Sequence, residues 1–180
     1  MLYHVLILFL LQVINLSSAD HYKGGTISWK PTNAYSLTSP IEITITERHS
    51  WTLTRYMCNQ TTVNTFAAYH DIENIVGPSI ACISSSATCT ASSYQTINSS
   101  LYCTDYSISL DVSSGTYYTT QNLTANSTID IAWRGAAWVS ETLTNGWSLV
   151  AHIDLSIITN KINTSPGKYS LLNSYTYKRI

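Results

Sequence analysis

Ile41, Ile43 and Ile45 alternate with Glu42, Thr44 and Thr46. This two-residue period limits the fold more than anything else in the chain. Alternate side chains of a strand point to opposite faces of a sheet, so one face of this stretch enters a core and the other meets water. Trp29 precedes the run and Trp51 follows it, on flanks that also read as extended, Thr26 to Lys30 and Trp51 to Met57. A polar corner is expected between them at Glu47 to Ser50. Gly24-Gly25 reads as a flexible lead into the first strand.

The same half-buried pattern recurs downstream. Leu101, Cys103 and Asp105 fall on one face of a strand expected over Leu101 to Leu110. Thr116 to Asn122 is strand-like, and Ile129, Ile131 and Trp133 alternate after it. Trp147, Leu149, Ala151 and Ile153 open a long strand expected to reach Ile158. Gly77-Pro78, Asp111 to Gly115 and Asn145-Gly146 supply turns. Thr61 to Tyr69 reads as a further strand, Ser84 to Ser93 as a loop and Asp71 to Gly77 as the one short helical turn. Ala136 to Leu143 reads as the hairpin partner of the strand before Gly135. Short strands separated by turns predict an all-β fold, an antiparallel β-sandwich or jelly-roll-like single domain.

The termini are expected to lie outside that domain. Val5 to Ile14 is almost entirely apolar, but shorter than the roughly 20 residues a spanning helix needs. It reads as a signal peptide over 1–19, cleaved after Ala19, with the domain over 20–166 and a tail over 167–180 outside the core. No later run is apolar enough to span a membrane. A net charge of −1 offers no pull toward nucleic acid or an anionic membrane. Only 11% of residues are charged, against roughly 25% in ordinary soluble domains. Ser, Thr, Asn and Tyr supply the polarity, and glycans are expected to supply solubility. N-x-[S/T] sequons occur at Asn59, Asn98, Asn122, Asn126 and Asn163. Pro166 follows the last and weakens it as an acceptor.

Cys58, Cys82, Cys89 and Cys103 form an even set behind a secretory segment, which predicts two disulfides. Three pairings are open. Cys58–Cys82 with Cys89–Cys103 is the expected one, because each closes a loop between neighbouring strands. Zinc is disfavoured by the absence of a C-x₂₋₄-C pair.

Five segments in order, GGTISWKP, IEITITERHSWTLTRYMC, YCTDYS…DVSSG, AWRGAAWVSE and NGWSLVAHIDL…KINTSP, resemble the N-terminal domain of large extracellular proteins of invertebrates. In these a GTI-x-W strand and a sandwich-like domain precede cadherin-like or other adhesive modules. The resemblance covers Gly24 to Pro166 and implies a secreted or cell-surface protein. It brings no catalytic residues with it. The chain stops soon after Pro166, where those relatives continue.

The expected function is extracellular recognition or adhesion without catalysis or cofactor, toward a protein or glycan partner. A lectin-like role is the alternative, with exposed Trp and Tyr as stacking faces. Trp138, after the Arg134-Gly135 bend, is then the ligand-binding candidate, with Arg134 beside it. Each of the five tryptophans has a competing role as a core anchor. Asp105, Asp111, Asp130 and Asp154 are the carboxylates available to a calcium ion, Asp105 and Asp111 foremost, although no EF-hand or cadherin-type run is present. A secreted hydrolase is the second alternative. His152 and Asp154 share a strand face, but no G-x-S-x-G elbow occurs, and Glu42 and Glu47 stand too far from other acids to suggest a glycosidase pair.

Overall fold

The computed structural model describes residues 22–67, 79–135 and 147–163. The expected signal peptide, the tail over 167–180, the Asp71 to Gly77 turn and the Ala136 to Leu143 hairpin arm lie outside the described residues.

The fold is all-β, with two four-stranded antiparallel sheets among the described residues. In the first, β1 (Tyr22–Pro31), β2 (Ile41–Thr52), β6 (Val112–Leu123) and β5 (Tyr102–Ser107) lie in the order β1-β2-β6-β5. In the second, β4 (Ile97–Asn98), β3 (Ser79–Cys82), β7 (Thr128–Gly135) and β8 (Trp147–Asp154) lie in the order β4-β3-β7-β8. A small hairpin, β9 (Ile157–Ile158) with β10 (Lys161–Ile162), follows. Each sheet buries one face. Ile41, Ile43, Ile45 and Trp51 of β2 share one core with Ile80, Ile129, Ile131, Trp133 and Ile153 of the second sheet. Trp29 ties the two layers at one edge, its Nε1 donating to the His152 carbonyl at 2.7 Å.

The alternation in β2 does not stop at Thr46. The strand runs unbroken from Ile41 to Thr52, so the expected polar corner at Glu47 to Ser50 is strand. Its inward positions continue as Glu47, His49 and Trp51, all buried. The turn expected at Asp111 to Gly115 comes earlier, at 108–111, and Gly115 lies within β6. A register shift between Cys103 and Asp105 breaks the face expected of β5, leaving Cys103 buried and Asp105 exposed. β8 ends at Asp154 rather than Ile158.

Two stretches are helical against expectation. In α1 (Gln60–Asn64), Asn59 and Thr62 form a reciprocal capping box. In α2 (Ser86–Ser92), Ser85 caps the Thr88 N–H. Both are short, lack an apolar stripe, and hang on disulfides. The pairs are Cys58–Cys103 and Cys82–Cys89, with Cα atoms 5.9 and 6.0 Å apart. This corrects the expected pairing. The segment after β2 folds against β5, where the Cys103 N–H donates to Ala67 O, and that brings Cys58 to Cys103 rather than to Cys82.

Gly24 and Gly25 are not a flexible lead but part of β1. Gly24 has φ +142° beside a register shift between Tyr22 and Gly24, a conformation glycine tolerates and other residues resist. A Cβ on Gly25 would collide with Tyr22 Oη and the Arg48 carbonyl and lie 3.1 Å from Leu149 Cδ1. The carbonyl belongs to the ladder and has no room to yield. Gly25→Ala is therefore expected to lower stability by about 1–3 kcal/mol, the usual cost of overpacking, as a lower midpoint in urea unfolding.

Candidate functional site

The outward face of the first sheet carries short hydroxyl side chains. β1 supplies Thr26, β2 supplies Thr44, Thr46 and Ser50, and β6 supplies Ser114, Thr116 and Thr120. Arg48 stands among them, with Thr26 opposite on one side and Thr116 on the other. Around it lies an open concavity of about 640 Å³, lined by residues that include Gly24, Thr26, Arg48, Ser50, Thr104, Ser114, Thr116 and Tyr118. Glycine and β1's irregular register lower the wall at the β1 side. Tyr118, 60% exposed, stands at its rim. Ser50 and Ser114 hydroxyls bond each other at 2.9 Å across the strands, and Thr104 Oγ1 donates to Ser114 O at 3.2 Å. Thr104 also lines a second concavity of about 440 Å³, together with Val63, Asn64, Phe66 and Cys103. Among the described residues Arg48 has no ion-pair partner, and it is the one Lys or Arg in the first concavity's lining, which holds no carboxylate.

Directly behind Arg48, on the inward face, lies a different constellation. His49 Nε2 is 2.7 Å from Glu47 Oε1, and the two residues are 1% and 0% exposed. The ring nitrogens and carboxylate oxygens have no well-aligned hydrogen bond, although the two groups are in contact. Aromatic rings enclose it. His49 meets Trp133 edge-on at 4.5 Å and Tyr22 at 5.5 Å, and Trp51 lies 6.3 Å away. Gly25 and Gly115 are its cross-strand neighbours. Tyr94 donates to Ile80 O at 3.0 Å. Burial, with a smaller push from Glu47, raises its hydroxyl well above the ordinary tyrosine range.

The second sheet carries the histidine picked out by sequence. His152 does not work with Asp154. Its Nδ1 lies 2.8 Å from Oδ1 of Asp130, directly across the β7–β8 pair, and both side chains are largely exposed. Asp154 instead closes the turn after β8. It accepts from the Ser156 N–H at 3.0 Å, from the Ser156 hydroxyl, from Asn163 Nδ2 at 2.9 Å and from Thr128 Oγ1 at 3.3 Å. These bonds, the Ser156 hydroxyl foremost, outweigh its burial and hold its carboxyl below the usual range. A depressed folded pKa adds stability above the unfolded value, about 3.9, and that contribution is lost as the pH falls through the folded one. The stability gap between wild type and Asp154→Asn is expected to narrow as denaturation is repeated from pH 7 down to pH 2, on this reading of the folded carboxyl.

The carboxylates offered to calcium are not gathered. Asp105 and Asp111 belong to the β5–β6 hairpin of one sheet, Asp130 and Asp154 to the other. Asp111, at φ +49°, accepts from the Thr54 N–H at 2.9 Å, and Asp105 from the Tyr106 N–H at 2.8 Å. No group of three His, Cys, Asp or Glu suited to a metal occurs among the described residues. Trp138 and the side chain of Trp147 lie outside the described residues, whereas Arg134 is exposed at the end of β7. Trp29, Trp51 and Trp133 are buried, so none of these three offers a stacking face. Exposed aromatic rings on the described surface come from Tyr35, Phe66, Tyr102 and Tyr118. Of the sequon asparagines, Asn59, Asn98, Asn122 and Asn126 are exposed, while Asn163 is half-buried and spends an Nδ2 proton on Asp154.

Sequence reasoning missed the Arg48 concavity, because its walls come from four strands whose register only the fold reveals. The available hint was the outward series Thr44, Thr46, Arg48, Ser50, in which a single cation interrupts hydroxyls. Comparison with family models, with curated proteins and with solved structures finds no match to this chain.

Proposed function

We propose that the chain is a secreted or cell-surface recognition module that binds through the outward face of its first sheet and performs no catalysis. The observation that carries this reading is Arg48, an exposed guanidinium without an ion-pair partner among the described residues, set among hydroxyls in an open concavity. Such a surface offers many weak, reversible contacts and one oriented charge. His49 also lines it, but that residue is buried, and its imidazole lies against Glu47. Two disulfides fit an oxidising compartment. Among the described residues no helix is long and apolar enough to cross a membrane. The resemblance to the head domain of adhesive extracellular proteins points the same way.

The second reading, a lectin-like domain, keeps its aromatic component only in altered form, with Tyr118 replacing the buried tryptophans as the ring at the site. The test is binding of the secreted chain to a glycan array and to cultured cell surfaces, comparing Arg48→Ala with His152→Ala. Arg48→Ala is expected to weaken binding about 10-fold or more, the scale of a lost charge-assisted hydrogen bond, and His152→Ala to leave it unchanged. Equal binding by both variants overturns the assignment of this face.

A further inference from the structure

We infer that the ligand of the Arg48 concavity is a carbohydrate bearing a carboxylate, a uronic-acid class sugar; this rests on the assignment of that face as the binding surface. The chemistry of the lining selects the class. A planar guanidinium offers parallel N–H donors matched to a carboxylate's two oxygens. Arg48 is free to do so, because no acid lines the concavity and no ion pair engages it among the described residues. Around it stand Thr26, Ser50 and Thr104, with the buried Thr116 across the ladder. A hydroxyl both donates and accepts, which is what the hydroxyls of a pyranose ring require of their partners. Tyr118 at the rim adds an exposed, amphipathic ring of the kind that covers a sugar's apolar face.

Charge number separates this class from more heavily charged anions. Lys23 and Lys30 are the other cations of β1, three residues before and four beyond Thr26, about 10 and 13 Å at strand spacing, and neither lines the concavity. A polysulfated chain or a phosphate cluster calls for several cations together, and the whole chain carries a net charge of −1. One guanidinium serves one carboxylate. Space for an acceptor chain exists as well. Asn122, a sequon asparagine on the same face of β6, lies six residues beyond Thr116, about 20 Å away, so a glycan there leaves the Arg48 end open.

The test is titration of the full secreted chain with four probes: a glucuronate-terminated oligosaccharide, its neutral glucose-terminated counterpart, a sulfated disaccharide, and sodium sulfate. Wild type is expected to bind the glucuronate probe about 10- to 100-fold more tightly than the neutral one, the range for hydrogen bonds to a charged group. Arg48→Gln is expected to abolish that preference, and Arg48→Lys to keep part of it, both with an unchanged unfolding midpoint because the side chain is exposed. Preference for the sulfated disaccharide, or for sulfate itself, overturns the carboxylate assignment. Equal affinity for the neutral and acidic sugars, with binding lost in Tyr118→Ala, also overturns it, yet leaves the surface standing. Binding to cell surfaces that needs Arg48 while every sugar fails overturns the ligand class alone. Glucuronate binding that Arg48→Gln leaves intact overturns both.

Discussion

Glu47→Ala is expected to lower the unfolding free energy by about 1–3 kcal/mol, the range for leaving a buried polar partner unsatisfied. The substitution strands His49 among Tyr22, Trp51 and Trp133 without its polar neighbour and opens a void beside Ile27 and Tyr117, the cross-strand neighbours of Glu47. Replacing both members with apolar residues of similar size has a different expected result. Glu47→Met with His49→Phe should be nearly neutral or stabilising, since no buried polar group is then left without a partner. Urea unfolding with an unchanged slope checks both variants. A loss under about 1 kcal/mol for Glu47→Ala, typical of surface positions, would mean that Glu47 faces water and that the inward alternation of β2 ends at Ile45.

The second large effect concerns the disulfides, and the two bonds are expected to differ. Cys58–Cys103 closes 45 residues and Cys82–Cys89 only 7. Loop-closure entropy then gives about 4 kcal/mol for the first and about 2 kcal/mol for the second. The long bridge also holds α1 and the chain after β2 against the outer edge of β5, an edge that would otherwise present unpaired backbone groups. Paired Cys→Ser variants of each bridge, unfolded in urea without reductant, check the order. Peptide mapping of the unreduced chain checks the pairing itself. A larger loss from the Cys82–Cys89 variant would show that native contacts around α2, rather than chain entropy, set its contribution.

The strands were legible where one face is purely apolar. Ile41 to Ile45 and Ile129 to Trp133 announce themselves, because burial of alternate aliphatic residues leaves a visible period. Glu47 and His49 obey the same period, yet their polarity suggested a corner. Only the aromatic rings brought from Tyr22 and Trp133, far away in sequence, make an inward Glu–His pair intelligible. The helices were hidden for the opposite reason. Gln60–Asn64 and Ser86–Ser92 have no apolar stripe, and what marks them is the spacing Asn59-x-x-Thr62 and Ser85-x-x-Thr88 at their caps. The disulfide pairing followed from topology: β5 pairs with β6 at the sheet edge, which a search for short loops overlooks. Of the candidate site, the hydroxyl face was written in the sequence, but the concavity was not. Thr26, Arg48, Thr104 and Thr116 come from four strands, and nothing local announces their meeting.

The most direct test of the binding face is to map it. Backbone amide shifts in the isotope-labelled chain, followed while the glucuronate oligosaccharide is added, should move at Thr26, Arg48, Ser50, Ser114 and Thr116 and stay fixed along β7 and β8. Shifts concentrated at Asp130 and His152 on the other sheet would place recognition on the wrong side of the sandwich and contradict the account.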